Sequence, residues 1–240
     1  MILEDRLIVA LDVPSIDKAS KLVISLGETV TFYKVGMELF YGAGHEVLSY
    51  LKDYRKKIFL DLKMHDIPNT VGSSVVVLAD LGVDMINVHA SGGRDMMQRA
   101  ARAAREAEEK TGKQAPKIIA VTVLTSLEEK GWQELNNSLT IPEQALELAK
   151  LAKDSGLDGV VASPQEAQAI RKACGKDFII VTPGIRQATD SKDDQSRIAT
   201  PSAALDAGAT YLVVGRPITL ADDPKAAAQA VISDMRGAKL

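Results

Sequence analysis

Three absences narrow the range of functions. The 240-residue sequence has one cysteine, Cys174, which excludes an intramolecular disulfide and suits a reducing compartment. No apolar run reaches membrane-spanning length, and the first residues lead straight into a predicted strand, without the pattern of a signal peptide. The formal net charge of −3 gives no basic field for nucleic acid or anionic lipid. We therefore expect a cytoplasmic protein with neither a membrane nor nucleic acid as a partner.

Motifs for the common cofactors are also missing. The sequence contains no Walker A loop, and no His, Cys, Asp or Glu residues follow the spacing of a zinc site. The first predicted strand leads into Asp12-Val13-Pro14-Ser15, where a dinucleotide-binding chain would have a G-x-G-x-x-G turn. We therefore expect no metal and no cofactor.

Short apolar segments alternate with amphipathic ones along the whole chain. Such near-continuous apolar runs are typical of strands buried on both faces. The predicted strands are Leu7–Asp12, Phe32–Val35, Lys57–Leu62, Met85–His89, Lys117–Val123, Gly159–Ala162, Phe178–Val181 and Tyr211–Val214. The clearest predicted helices between them are Asp17–Leu26, Arg94–Lys110, Ile141–Ser155, Pro164–Cys174 and Pro224–Met235.

This alternation predicts an α/β protein, a single (β/α)8 TIM barrel over residues 1–240. Eight strand–helix units fit the usual size of that barrel, about 250 residues. Two small domains would also fit the length, less well. The structural alternative is an open doubly wound sheet, against which the missing glycine-rich turn argues.

The segment Asp61–Thr70 carries the strongest chemical signal. Strand alternation places Asp61 and Lys63 on the same side of the backbone, and the Ile67-Pro68 pair stops the strand. A lysine between carboxylates should stay protonated, because nearby opposite charge favours its charged form. We interpret Lys63 as a proton donor; the alternative is a solvated ion pair at a strand end.

Further polar residues follow the other predicted strands, at the end of a barrel where active sites form. Gly215-Arg216 and Gly184 with Arg186 follow the last two strands, whose loops commonly bind phosphate. Gly215 could instead make a tight turn only, with Arg216 as a surface charge. The polar stretch 187–200 has the length and composition of a lid over this end.

Taken together, these motifs resemble the bacterial type of orotidine 5′-phosphate decarboxylase. The match runs in order along essentially the whole chain, and related phosphosugar decarboxylases and synthases share only its D-x-K-x-x-D part. The matching segments are Leu11-Asp12, Lys34-Val35-Gly36, Asp61-x-Lys63-x-x-Asp66-Ile67-Pro68-x-Thr70, Asn87-Val88-His89, Thr182-Pro183-Gly184-Ile185-Arg186, Asp194-Gln195 and Val214-Gly215-Arg216.

The resemblance implies decarboxylation of orotidine 5′-phosphate to uridine 5′-phosphate, without metal or cofactor, by a homodimer with shared active sites. Lys63 would protonate C6 of the pyrimidine as carbon dioxide leaves, and Asp61 would lie against the substrate carboxylate. Lys34, together with Asp66 of the other subunit, would complete an alternating array of charges.

The resemblance also implies how the rest of the nucleotide is held. Asp12 and Lys34, with Thr70 from the other subunit, would bind the ribose, and Thr125 would contact the pyrimidine. Gln195 would bridge lid, base and phosphate. The remaining implied substrate-binding positions are Ile67 and Pro183, with Arg186, Gly215 and Arg216 at the phosphate.

Two other functions remain open on the sequence. A sister phosphosugar enzyme would keep the D-x-K-x-x-D motif but need magnesium, for which an extra acidic ligand is expected where Lys34 stands. A non-catalytic nucleotide-binding regulator would use the same barrel, although an array of buried charges costs stability without helping mere binding.

Overall fold

The computed structural model describes residues 2–186 and 198–239, and its strands form a closed parallel barrel in the order β1 to β8. This confirms the predicted (β/α)8 architecture and rules out the open sheet. The strands are β1 (Leu7–Ala10), β2 (Phe32–Gly36), β3 (Lys57–Met64), β4 (Met85–His89), β5 (Lys117–Val121), β6 (Gly159–Val161), β7 (Ile179–Thr182) and β8 (Tyr211–Val214).

Helices cover the outside of this barrel. The predicted bounds of Pro164–Cys174 and Pro224–Met235 are confirmed at both ends, whereas several short helices were not predicted. The α-helices of the described residues are α1 (Ile16–Leu26), α2 (Met37–Ala43), α3 (Glu46–Asp53), α4 (Pro68–Asp80), α5 (Gly93–Thr111), α6 (Glu129–Gln133), α7 (Ile141–Asp154), α8 (Pro164–Cys174), α9 (Pro201–Asp206), α10 (Arg216–Thr219) and α11 (Pro224–Met235).

Local capping explains why the well-predicted helices begin where they do. Ser163 and Glu166 form a capping box at the start of α8, and Pro164 occupies the first helical position. Thr140 and Glu143 do the same for α7. Both devices satisfy N–H groups that a helix start leaves without partners, so the sequence determines these boundaries locally.

The core has two layers, divided by the strands. Inside the barrel lie side chains such as Ile8, Phe32, Phe59 and Met85. Alternate residues of the same strands, such as Leu7 and Val9, point outward against the helices. Every residue of β1 and β2 is buried, which explains the continuous apolar runs of the sequence. No helix of the described residues is long and apolar enough to cross a membrane.

Candidate active site

A cavity of about 460 Å³ opens at the C-terminal end of the barrel. Its floor is apolar, with Phe59, Val181 and Val213 of the barrel interior, and its wall is polar. Of the positions predicted from the sequence, those that line it are Asp12, Lys34, Asp61, Lys63, Thr125, Pro183, Arg186, Gly215 and Arg216. The structure thus brings most of the predicted site into one place, as expected for this end of a barrel.

Four charged side chains form a continuous chain along one wall. Lys34 Nζ lies 2.8 Å from Asp12 Oδ1 and 3.3 Å from Asp61 Oδ2. Lys63 Nζ lies 2.8 Å from Asp61 Oδ1. Charges therefore alternate from negative Asp12 to positive Lys63, and the central pair, Lys34 and Asp61, has side chains only 10% exposed.

The central pair is held ionised by its neighbours. Burial alone would raise the pKa of the Asp61 carboxyl, but the ammonium groups of Lys34 and Lys63 bring it below its ordinary value. Burial alone would lower the pKa of Lys34, but the carboxylates of Asp61 and Asp12 raise it above its ordinary value. At neutral pH Lys34 and Asp61 therefore carry fixed opposite charges at the centre of the wall.

Lys63 lies on an irregular part of β3. The pairing of β3 with β4 shifts between Leu60, opposite Ile86, and Met64, opposite Val88. Lys63 itself has φ +51°, a left-handed conformation that is costly for a residue other than glycine. Regular strand alternation correctly predicted that Asp61 and Lys63 lie close together. In the structure, however, a β-bulge rather than a regular strand brings the two side chains into contact.

Asn87 of β4 contacts the charged wall, and sequence reasoning assigned no role to it. It is 1% exposed, its Nδ2 donates to Asp61 Oδ1 at 2.7 Å, and its Oδ1 accepts from the backbone N–H of Lys63 at 2.8 Å. The available signal was an amide within the otherwise apolar run Met85–Val88 of a buried strand.

Gly36 leaves room for the same charged wall. A Cβ atom at this position would lie 2.8 Å from Asp12 Oδ1 and 3.1 Å from Lys34 Nζ. A side chain here would push apart the ion pair that joins β1 and β2. Gly36, two residues after Lys34, therefore leaves room for the ammonium group of Lys34.

Another part of the cavity rim is formed by the loops after β7 and β8. Gly184 has φ +74°, which only glycine adopts easily, and it turns the chain so that Pro183 and Arg186 both line the cavity. Gly215 and Arg216 face them from the end of β8. Two glycines and two guanidinium groups thus line this part of the cavity.

Three predicted site residues lie outside this cavity. Asp66, Ile67 and Thr70 are exposed, and Ile67 keeps 66% of its surface. The Asp66 carboxylate accepts from the backbone N–H of Ile67 at 2.6 Å, and α4 begins at Pro68, two residues before Thr70. Gln195 and most of the predicted lid lie outside the described residues.

His89 ends β4 beside the charged wall and stacks on His65, with ring centroids 5.4 Å apart. Burial lowers the pKa of His89, and the neighbouring His65 and Lys63 lower it further. This imidazole is therefore neutral at neutral pH. Among residues 2–186 and 198–239, no group of three or more His, Cys, Asp or Glu side chains is arranged to hold a metal ion.

The comparisons with known proteins agree with this geometry. Residues 5–231 match the model of the Orotidine 5′-phosphate decarboxylase / HUMPS family. The orotidine 5′-phosphate decarboxylase of Moorella thermoacetica is 49% identical over 98% of this chain and 94% of its own length. That of Streptococcus pneumoniae is 51% identical over 95% of both chains. The crystal structure of the Lactobacillus acidophilus enzyme superposes with TM-score 0.84 at 45% identity, covering 96% of this chain and 99% of the other.

Proposed function

The chain belongs to the Orotidine 5′-phosphate decarboxylase / HUMPS family, and we propose that it decarboxylates orotidine 5′-phosphate in pyrimidine biosynthesis, with Lys63 protonating C6. The bond between C6 and the carboxylate breaks, carbon dioxide leaves, and the electron pair left on C6 takes a proton from the Lys63 ammonium. The products are carbon dioxide and uridine 5′-phosphate.

The observation that carries this proposal is the ammonium of Lys63 at the end of the charged wall, 2.8 Å from Asp61 and facing the cavity. A carbanion at C6 has no adjacent carbonyl to take its charge, so the site must stabilise it electrostatically. The ammonium is already in place and needs no reorganisation during the reaction. Asp61, ionised beside it, would face the substrate carboxylate, which leaves as neutral carbon dioxide.

The two sides of the cavity fit the two ends of the nucleotide. Asp12 and Lys34 would hold the ribose hydroxyl groups, and Thr125 would contact the pyrimidine. Arg186, Gly215 and Arg216 lie in the loops after β7 and β8, where guanidinium and backbone N–H groups would bind the 5′-phosphate. Phosphate binding far from C6 would supply energy for closing the site, with Gln195 as the bridging residue.

We further propose a cytoplasmic homodimer in which each subunit contributes to the other's site. Asp66, Ile67 and Thr70 are exposed just beyond the charged wall, where a second subunit would bring them to its neighbour's cavity. Asp66 would then extend the alternating charges beyond Lys63. A two-fold interface makes such an exchange reciprocal.

A phosphosugar decarboxylase or synthase of the same family is the competing function. Such an enzyme would need a cation between carboxylates. Here the Lys34 ammonium already lies between Asp12 and Asp61, at 2.8 and 3.3 Å. This position argues for the metal-free nucleotide reaction.

The decisive assay mixes the purified protein with orotidine 5′-phosphate in excess chelator and follows the loss of orotate absorbance. We expect turnover that added magnesium does not change. A 3-keto-gulonate phosphate and a hexulose phosphate, each with magnesium, serve as matched substrates. Turnover of either sugar phosphate without turnover of the nucleotide would reject the proposal, and binding of the nucleotide without turnover would favour a regulator.

The shared site has its own test. Inactive Lys63→Ala and inactive Asp66→Ala proteins are mixed, and subunit exchange is checked with two affinity tags. If Asp66 acts in the other subunit's site, a mixed dimer holds one site with both defects and one intact site, so activity returns. If Asp66 acts within its own subunit, every site keeps one defect and the mixture stays inactive.

A further inference from the structure

Asn87 links the two residues on which the proposed chemistry depends. Its side-chain amide reaches from β4 to the bulged part of β3, donating to the Asp61 carboxylate at 2.7 Å and accepting from the Lys63 backbone at 2.8 Å. Asp61 Oδ1 therefore receives two donors, Asn87 Nδ2 and Lys63 Nζ. A single buried amide thus fixes both the carboxylate and the backbone that bears the ammonium.

The bulge makes this contact necessary. Leu60 pairs with Ile86, and Met64 pairs with Val88. Between these two pairs the chain advances four residues along β3 but only two along β4. The ladder cannot continue through the excess residues, so their backbone groups need other partners. The Asn87 side chain supplies an acceptor for the Lys63 N–H at the residue whose φ is +51°.

We propose that Asn87 is a positioning residue for decarboxylation, which holds Lys63 in its left-handed conformation and Asp61 at a fixed angle beside it. This inference rests on the proposed function, because Lys63 must be the proton donor for its position to matter. A backbone N–H can only donate and an ionised carboxylate can only accept, so the partner between them must offer both an acceptor and a donor. An asparagine amide does this without adding charge.

The inference predicts where a substitution acts. Asn87 touches Asp61 and the Lys63 backbone, whereas the groups proposed to bind phosphate lie in the loops after β7 and β8. Misplacing Lys63 should therefore slow the chemical step and leave substrate binding nearly unchanged. An error of about 1 Å in a reacting group can cost on the order of 10²-fold in rate.

The first variant, Asn87→Ala, removes both bonds. We expect kcat to fall by about 10–100-fold with KM within roughly threefold of the wild type. Thr122→Val is the matched control, since Thr122 is also buried at a strand end and donates to the Val161 carbonyl at 3.0 Å without touching the charged wall. This control should lose some thermal stability and keep its kcat.

The second variant, Asn87→Asp, separates positioning from a general loss of packing. The new carboxyl keeps an acceptor for Lys63 N–H and, when protonated, a donor for Asp61. The charged groups around it are Asp61 and Lys63 on β3 and Lys34 on β2, with His89 two residues further along β4. Burial and the Asp61 carboxylate would raise its pKa, against the ammonium groups of Lys63 and Lys34, which would lower it; in either case the donor is present in acid and lost as the pH rises.

The kcat of Asn87→Asp relative to the wild type should therefore rise as the pH is lowered, measured at a temperature where both proteins stay folded throughout the pH range. A ratio that stays flat with pH would overturn the inference, as would an Asn87→Ala enzyme within threefold of wild-type kcat. If Asn87→Ala does not fold, the pH profile of Asn87→Asp decides alone. A wild-type enzyme that does not turn over the nucleotide would instead reject the proposed function.

Discussion

The two ends of the barrel use the same types of residue for different purposes. At the N-terminal end, Asp84 accepts from the backbone N–H of Ile58 and Asp158 from that of Ile118, both at 2.8 Å. Thr210 accepts from the backbone N–H of Ile180 at 3.0 Å. Each of the three residues immediately precedes an even-numbered strand and bonds to the strand before it. These side chains join neighbouring strands.

Arginine shows the same division. Arg171 donates to the backbone carbonyls of Gly175 and Phe178 on one side and to that of Gly208 on the other. It therefore ties together the turns that enter β7 and β8. Arg186 and Arg216, at the other end, line the cavity, and Arg186 also donates to the backbone carbonyl of Ile185 at 3.0 Å.

At the C-terminal end, carboxylates bond to ammonium groups rather than to strand edges. Asp61 contacts Lys34 and Lys63 within a cavity, and the backbone beside it is irregular. The difference teaches how to separate stability from chemistry: a polar group that satisfies the main chain supports the fold, whereas charges that satisfy one another beside a cavity are available to a ligand.

The largest expected effect comes from Lys63→Ala at the active end. General acid catalysis alone is typically worth ~10²–10⁴-fold, and loss of the charge beside C6 should add to that. The kcat for orotidine 5′-phosphate should therefore fall by at least that range, while urea unfolding stays close to the wild type because the side chain is 29% exposed at the cavity. A variant with more than a tenth of wild-type kcat would show that Lys63 is not the proton donor.

One substitution, Asp to Asn, can be made at both ends. Asp61→Asn leaves the lysines without their shared charge, and we expect kcat to fall by about 10²–10³-fold, as when one preorganised electrostatic group is lost. Asp84→Asn keeps an acceptor for the Ile58 N–H, and its kcat should equal that of the wild type. Steady-state kinetics of both variants, side by side, test the comparison directly.

The pH dependence of the free energy of unfolding tests the same comparison through Asp84. Burial raises the pKa of Asp84, against the opposing effects of the Ile58 N–H and Lys57, so its ionisation destabilises the fold as the pH rises. Asp84→Asn should therefore be as stable as the wild type or slightly more so at neutral pH, and the difference should vanish in acid. A large loss of stability at neutral pH would show that the Asp84 charge itself supports the barrel.

Much of the fold and of the charged wall could be predicted from the sequence. The alternation of apolar and amphipathic segments gave the strands, several helix ends and therefore the barrel. From the barrel followed the gathering of Asp12, Lys34, Asp61 and Lys63 at one end. These features depend on local pattern, which a single sequence contains.

The parts that were missed depend on contacts between strands. The bulge in β3 and the left-handed Lys63 occur together with a hydrogen bond from the Lys63 backbone N–H to Asn87, a residue 24 positions away in sequence. Neither alternation nor propensity reports such a long-range bond. The hydrogen bonds that Arg171 donates were missed for the same reason, since they join turns that are distant in sequence.

A smaller effect on catalysis is expected from Arg216→Ala. A hydrogen bond to a charged group contributes about 1.5–3 kcal/mol, so kcat/KM for the nucleotide should fall by roughly 10–100-fold. A substrate without phosphate should lose little, because the contact is already absent. Arg236→Ala, which removes an exposed pair with Glu4 at 2.8 Å, is the control and should change neither value. Equal losses on both substrates would place Arg216 in another role.

The smallest effect compares two threonines at opposite ends of neighbouring strands. Thr210 precedes β8, where its hydroxyl accepts from Ile180 N–H and from Arg171 at 2.9 Å, whereas the buried hydroxyl of Thr182, at the end of β7, has no hydrogen-bond partner among the described residues. Thr210→Val should lower the free energy of unfolding by about 1–3 kcal/mol, because a main-chain donor loses its acceptor. Thr182→Val removes a hydroxyl that is already unsatisfied, so stability should stay constant or rise by up to about 1 kcal/mol. Urea unfolding of both variants measures the difference, and a larger loss for Thr182→Val than for Thr210→Val would contradict the division between the two ends.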